Sequence, residues 1–333
     1  MSSPRSKTSL CAEASQPLTP GVSVVIPVFN EAAGLATLFE RLLPVLGQLN
    51  RPSEAIFVND GSSDDSLAVL VEAAEREPRF RIVDLTRNFG QHAAVFAGLR
   101  QARFDVVVTM DADLQNPPEE IPRLLAKIDE GFDVVGGARG KRRDSWFRKV
   151  ASRFLNSWTR RITKTSLTDY GCMLRAYSGG ALEALRRSSE ASTFIPVLAE
   201  LYATRSTEIV VEHETRVAGT SKYNPLKLLW LQFDLTTSFS LAPLRILLLV
   251  GFLLAGVSFL VASALVLGRL LFGPAWAVGG VLTVLAFVVA FVGLLLFAVG
   301  LIGEYVGRIY LEVRQRPNYL VRRVYEASDS ERP

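Results

Sequence analysis

Val106 to Glu119 reads VVVTMDADLQNPPE, and the reading of this stretch decides the fold. Val106 to Met110 is apolar and mostly β-branched, the composition of a buried strand. Two carboxylates, Asp111 and Asp113, stand where that run stops, and Gln115 and a Pro-Pro turn follow. In open α/β sheets the C-terminal ends of the strands face the ligand crevice. Side chains alternate along extended chain, so Asp111 and Asp113 share one side and Ala112 takes the other. Two close carboxylates repel unless a cation or a proton lies between them. Oxygen donors suit Mg2+ or Mn2+, which keeps waters and accepts further oxygens from a phosphate. The competing reading is a polar turn after a strand, because Asp and Asn favour turns. The segment alone supports both.

On the N-terminal side, Val22 to Pro27 (VSVVIP) reads as a buried strand, followed by Asn30, Glu31 and an amphipathic helix over Ala33 to Leu46. Ala55 to Val58 is a second strand. It runs into Asn59, Asp60, Gly61, Ser62, Ser63 and Asp64, a turn that also offers a cap to a helix ending near Ala74. Arg81 to Leu85 is a third strand and Gln91 to Gln101 a helix. On the C-terminal side of the Asp-rich strand come a helix over Pro118 to Glu130 and a fifth strand over Asp133 to Gly137. Strand and helix alternate, which predicts a mostly parallel sheet with helices on both faces. Polar groups recur at the strand ends: Asn30 and Glu31, Asp60, Asp111 and Asp113, then Arg139. Four such ends at one edge point to a nucleotide crevice.

Two familiar phosphate loops are excluded. No strand is followed by G-x-G-x-x-G, and GGARGK at Gly136 to Lys141 has the wrong spacing for a Walker A loop, with Arg142 where Ser or Thr is needed. Phosphates must then be held by a metal and by side chains.

The 333 residues are 49% hydrophobic, and most of the excess lies after Pro243. The net charge of +4 is mild, but basic residues cluster over Arg139 to Arg161 and Arg308 to Arg323. Such clusters suit phosphates or anionic lipid and give no case for nucleic acid as a partner. Two cysteines, Cys11 and Cys172, are too few for a disulfide framework or a thiolate metal site, which fits a reducing compartment. Residues 1–20 are polar and rich in Ser and Pro, which predicts disorder and no signal peptide.

Past Asp144 the pattern changes. Phe147 to Arg161 is helical, with Arg148 and Ser152 four apart on one face, where a cation and a hydroxyl can share one phosphate. A solvated basic face is the alternative. Asp169 to Arg175 reads as a turn into a strand with a buried Cys172, Ser192 to Tyr202 as a helix, and Thr207 to Glu214 as a strand. Arg216 and Lys222 lie in a Gly/Ser loop. His92 and His213 read as structural. An interfacial amphipathic helix is expected over 225–242, with Trp230 at headgroup depth. Two uncharged spans follow within 243–303, at about 246–267 and 277–302, each long enough for a bilayer. Gly303 and Gly307 have the spacing of a close helix contact. Residues 304–333 read as a basic tail, and the positive-inside rule puts both termini in the cytoplasm.

VSVVIPVFNE, VNDGSSD, NFGQHAAVFAGL, DADLQNPPEEIP and the two spans together resemble the polyisoprenyl-phosphate glycosyltransferases of glycosyltransferase family 2, to which dolichol-phosphate mannose synthase belongs. The resemblance runs from about Val22 to Arg323. DSWFRK, DYGCMLRAY, STFIP and GEYVGRIY are similar to the bacterial branch that moves 4-deoxy-4-formamido-L-arabinose onto undecaprenyl phosphate in lipid A modification.

The resemblance implies a GT-A fold over residues 21–224, a UDP-sugar donor, a lipid phosphate acceptor at the inner membrane, and a homotetramer. Pro27, Asn30, Glu31 and Asp60 would serve the donor, with Asp60 on the uridine and Asn59 in the place of a usual acid. Asp111, Asp113 and Gln115 would hold Mg2+ or Mn2+ and the diphosphate. Arg139, Arg148 and Ser152 match positions for the acceptor phosphate. Lys222 and Arg216 would come from a loop over the donor, with Arg216 also near the acceptor phosphate. The acceptor is already anionic, so no general base is required. Sister enzymes moving glucose or mannose share most of these segments. A processive synthase would carry Q-x-x-R-W before its spans, which this chain lacks, and a non-catalytic scaffold would not need both metal carboxylates.

Overall fold

The computed structural model describes residues 18–139, 172–188, 195–212, 214, 242–273, 280–313 and 317–326. The chain forms two compact units. One contains a sheet and its helices and takes in residues 317–326; the other contains two long helices.

The sheet has eight strands in the order β7-β5-β6-β4-β1-β2-β3-β8. Its centre is parallel: β1 (Thr19–Val28) lies between β4 (Phe104–Thr109) and β2 (Ser53–Asn59), and β3 (Phe80–Leu85) lies outside β2. These strands are covered on both faces, which is why they read as continuous apolar runs. Helices α1 (Ala32–Gln48), α2 (Ser66–Arg76), α3 (Gln91–Gln101) and α4 (Ile121–Asp129) make the crossovers. Leu35, Leu38 and Leu42 of α1 are fully buried with Phe57 and Phe80, and Phe39 meets those two rings at 5.3 Å. Burial of this kind contributes about 1.5–3 kcal/mol per large side chain. Helix α3 lies so close to β1 and β2 that a Cβ at Gly98 would overlap Val25.

The alternation of strand and helix predicted most of this, with two differences. Strand β6 (Arg175–Tyr177) is antiparallel to both β4 and β5 (Val134–Arg139), and so restores a common direction for those two. Strand β7 (Ser206–Val211) then pairs parallel with β5. Helices α5 (Gly179–Arg187) and α6 (Ile195–Tyr202) complete this half.

The second difference is at the C-terminus. Residues 304–333, expected as a basic tail, contain the end of a helix and the strand β8 (Val321–Tyr325), antiparallel to β3. An ion network fixes the last residues of β8 at the N-terminal end of β3. Glu326 accepts from Arg81 at 2.7 Å and from Arg103 at 2.6 Å, and Arg81 also meets the buried Glu54 at 3.2 Å. These charge-assisted bonds tie the end of the segment to the sheet.

The helical unit holds α7 (Ala242–Phe272) and α8 (Gly280–Val313), which contact each other. Ile246–Phe272 has a mean hydropathy of 2.6 and none of its most apolar window is buried. Among the described residues this is the one helix long and apolar enough to cross a bilayer; the apolar stretch Phe291–Gly307 of α8 is shorter. Two spans were expected. Among the described residues, a Cβ at Gly303 or Gly307 would meet nothing within 4 Å. The expected interfacial helix over 225–242 lies outside the described residues except for its last position.

Candidate active site

Register alone brings the polar strand ends to one edge. Val25 of β1 pairs with Thr109 of β4 and Ile56 of β2, and Asn59 pairs with Asp84 of β3. Thr109 and Gly136 both pair with Arg175, so β4 and β5 run toward the same edge, and β5 extends past the end of β4 to Arg139. Asn30, Glu31, Asn59, Asp60, Asp111, Asp113 and Arg139 therefore share the C-terminal edge of the sheet.

Asp111 and Asp113 are half-buried, and Ala112 and Leu114 between and after them are buried. The alternation read from the sequence holds. Leu114 takes a φ of 59°, a costly conformation for a branched side chain, which turns the chain straight into Gln115. Asp113 Oδ1 accepts the Gln115 N–H at 3.1 Å, and Asp111 Oδ1 accepts from Gln91 Nε2 at 2.5 Å. Among the described residues no three His, Cys, Asp or Glu side chains form a metal cage. Two half-exposed carboxylates at a strand end do fit a hard divalent ion that draws its other oxygens from water and phosphate.

The residues expected to serve the donor are tied into a network of backbone and side-chain bonds. Asn30 has a φ of 56° and its Oδ1 accepts the Ser63 N–H at 2.8 Å, while its own N–H donates to Ser62 Oγ at 3.1 Å. Glu31 N–H donates to Ser66 Oγ at 3.0 Å. Asp64 accepts the N–H groups of Ala32 and Ser66 at 3.1 and 3.0 Å, which links the starts of α1 and α2. Burial works against the Asp64 carboxylate, but the Ser66 hydroxyl and those backbone bonds hold its pKa below the usual value. Pro27 is half-buried near the end of β1, paired with Val58.

Asp60 is 2% exposed, and its two oxygens accept the N–H groups of Phe89 and Gly90 at 2.7 and 2.9 Å. Burial raises its pKa against the pull of those two bonds. Asn59, where an acid was the usual expectation, donates to Asp84 Oδ1 at 2.7 Å. Half-buried His92 has its pKa pushed down to about 4 by burial, and the nearby Arg175 charge adds to this. That agrees with a structural histidine.

Three residues near the site escaped the sequence reading. Gln91 touches Asp111, although only its motif stood out. Arg41 of α1 bridges Glu119 and Glu214 at 2.9–3.0 Å, and Glu214 N–H donates to Gln115 O at 2.9 Å. Arg175 is fully buried beneath the edge, with Nε donating to Cys172 O at 3.0 Å. The partners of Gln91 and Arg41 are distant in sequence, and no local pattern marks them. Arg139 ends β5 opposite Val211. Arg148, Ser152, His213, Arg216 and Lys222 lie outside the described residues.

The family model described as Glycosyl transferase family 2 matches residues 23–189. The undecaprenyl-phosphate 4-deoxy-4-formamido-L-arabinose transferase of Proteus mirabilis is 51% identical over 304 residues, covering 91% of this chain and 93% of its own. The protein of the same name from Yersinia enterocolitica is 50% identical over 312 residues, covering 93% and 95%. Among solved structures, glucosyl-3-phosphoglycerate synthase from Mycobacterium tuberculosis with Mn2+, UDP and glucosyl-3-phosphoglycerate is 20% identical, with a TM-score of 0.46 over 66% of this chain and 78% of that one. With a mostly parallel α/β sheet, a family model matching residues 23–189 and relatives matched over more than nine-tenths of its length, the chain belongs to glycosyltransferase family 2 and is a glycosyltransferase.

Proposed function

We propose that the protein moves 4-deoxy-4-formamido-L-arabinose from UDP to undecaprenyl phosphate at the cytoplasmic face of the bacterial inner membrane, for lipid A modification and polymyxin resistance. The observation that carries this is the near-complete match to relatives bearing that name, on a chain whose own acids gather at one sheet edge.

Asp111, Asp113 and Gln115 would hold Mg2+ or Mn2+, which would supply positive charge to offset that developing on the departing diphosphate. Pro27, Asn30, Glu31 and Asp60 shape the nucleotide side, where Asp60 acts first by fixing the backbone of Phe89 and Gly90. Arg139, Arg148, Ser152 and Arg216 receive the acceptor phosphate, and Lys222 covers the donor. A lipid phosphate oxygen attacks the anomeric carbon, the bond to UDP breaks, and the configuration inverts. The nucleophile is anionic throughout, so alignment and charge replace a general base.

Chain topology supports a membrane hairpin. Strands of one sheet stand on both sides of α7 and α8 in sequence. A chain that leaves a folded domain and rejoins it crosses a bilayer an even number of times. With α7 as the outward span, α8 is the return, and Arg308, Arg314, Arg316, Arg322 and Arg323 mark the cytoplasmic side.

The test is release of UDP from a panel of UDP-sugars by the membrane-embedded enzyme, with and without undecaprenyl phosphate. Lipid-dependent release should be greatest with the formylated aminoarabinose donor. A preference for a glucose or mannose donor would reassign the sugar, and no lipid-dependent release from any donor would remove the proposal.

A further inference from the structure

Strand β8 enters the sheet beside the C-terminal end of β3, on the edge that carries the candidate site, and it holds more than its neighbouring strand. Leu320 O accepts the Thr86 N–H at 2.9 Å. Arg322 Nη2 donates to Thr86 O at 2.8 Å, and its Nη1 reaches Asp84 Oδ2 at 3.3 Å. The Arg322 side chain is 58% exposed and that of Asp84 is 1% exposed, so a surface cation is aimed at a buried carboxylate. The other Asp84 oxygen accepts from Asn59, the residue before Asp60.

The segment 86–90 between β3 and α3 is thus gripped from two sides. β8 holds its start, and Asp60 holds Phe89 and Gly90 at its end. Gly61, at a φ of 66°, lies so close to the Arg87–Asn88 peptide that a side chain there would overlap it. Gln91, the next residue, donates to Asp111. A continuous set of bonds runs from the strand that follows the long apolar helices to the acids of the reacting centre.

We infer that β8 is a working part of the donor half of the site, and that Arg322 is a positioning residue. It holds segment 86–90, and through it Asp60 and Gln91, in the arrangement that receives a nucleoside diphosphate. The inference rests on the UDP-sugar reading for its ligand and on the bonds above for its geometry.

Full-length Arg322→Ala and Arg322→Lys are compared with wild type in three measurements. Amide hydrogen exchange without ligand reports the grip directly. In Arg322→Ala the amides of Thr86, Phe89 and Gly90 should exchange about tenfold faster. The UDP dissociation constant and the donor KM should rise about tenfold as well, while kcat at saturating donor and the acceptor KM stay within about twofold. Arg322→Lys keeps a cation near Asp84 and should recover part of the UDP affinity. If Arg322→Ala does not fold, the intermediate effect of Arg322→Lys on exchange and on UDP affinity decides. Loss of thermal stability with unchanged exchange at 86–90 and unchanged UDP affinity would reduce β8 to an edge strand and overturn the inference. Failure of wild type to bind UDP would instead refute the donor reading, and the ligand-free exchange would still decide whether Arg322 holds the segment.

Discussion

Asn59 and Asp60 are neighbours with different duties, and the difference is one of charge. Asp60 takes two backbone N–H groups, whereas Asn59 must donate, because what faces it is the buried carboxylate of Asp84. Asn59→Asp would set two carboxylates against each other with a donor lost. We expect a loss of about 2 kcal/mol of stability; urea unfolding of the solubilised protein checks this. Asp113→Ala should lower transfer by at least about a hundredfold with the fold intact by circular dichroism. His92, with a pKa lowered to about 4 from 6.5, is neutral where an unfolded chain would already be charged. Its contribution is whole above pH 6.5 and fades as the pH falls toward 4, on the order of 3 kcal/mol. A His92→Phe variant should show a flatter stability profile across that window. Asp111 and Asp113 were legible because alternation is a local rule. Gln91 and Arg41 were not, because they earn their place through partners far along the chain.

Among the elements, α1 contributes more than a packed face. Its Arg41 joins Glu119, which follows the Asp-rich turn, to Glu214, which follows β7. Both hydrogen bonds raise the Arg41 pKa, and Arg41 in turn holds that of Glu214 down. The two acids are about half exposed, so the whole clamp contributes about 1 kcal/mol to stability. Its effect on activity should be larger, because the Gln115 carbonyl that bonds Glu214 adjoins Asp113. Arg41→Ala should lower kcat severalfold with a thermal shift of only a few degrees, and equal small effects on both would argue against a positioning role. The five strands from β1 to β5 were readable from apolar runs bounded by turns. Strand β6 has three residues, and β8 reads VRRVY, too basic to suggest a sheet without the buried Asp84 that meets Arg322, while the Glu326 that follows it pairs with Arg81.

For the whole molecule, hydropathy made α7 plain, but only the return of β8 to the sheet constrains how many times the chain can cross. In a chain freed of Cys11 and Cys172, single cysteines placed at Ser330 and at Ala275 between the two helices should label from opposite faces of sealed vesicles, the first with the catalytic domain. Labelling of both from one face would refute the hairpin. The order of synthesis carries a further consequence. A ribosome finishes α7 and α8 before it makes the strand that covers Asp84, so a nascent chain has its donor-side loop pinned at one end only. On the proposed reading, a sugar nucleotide would be held well only once translation has passed the helices, and turnover would be confined to molecules already delivered to the bilayer.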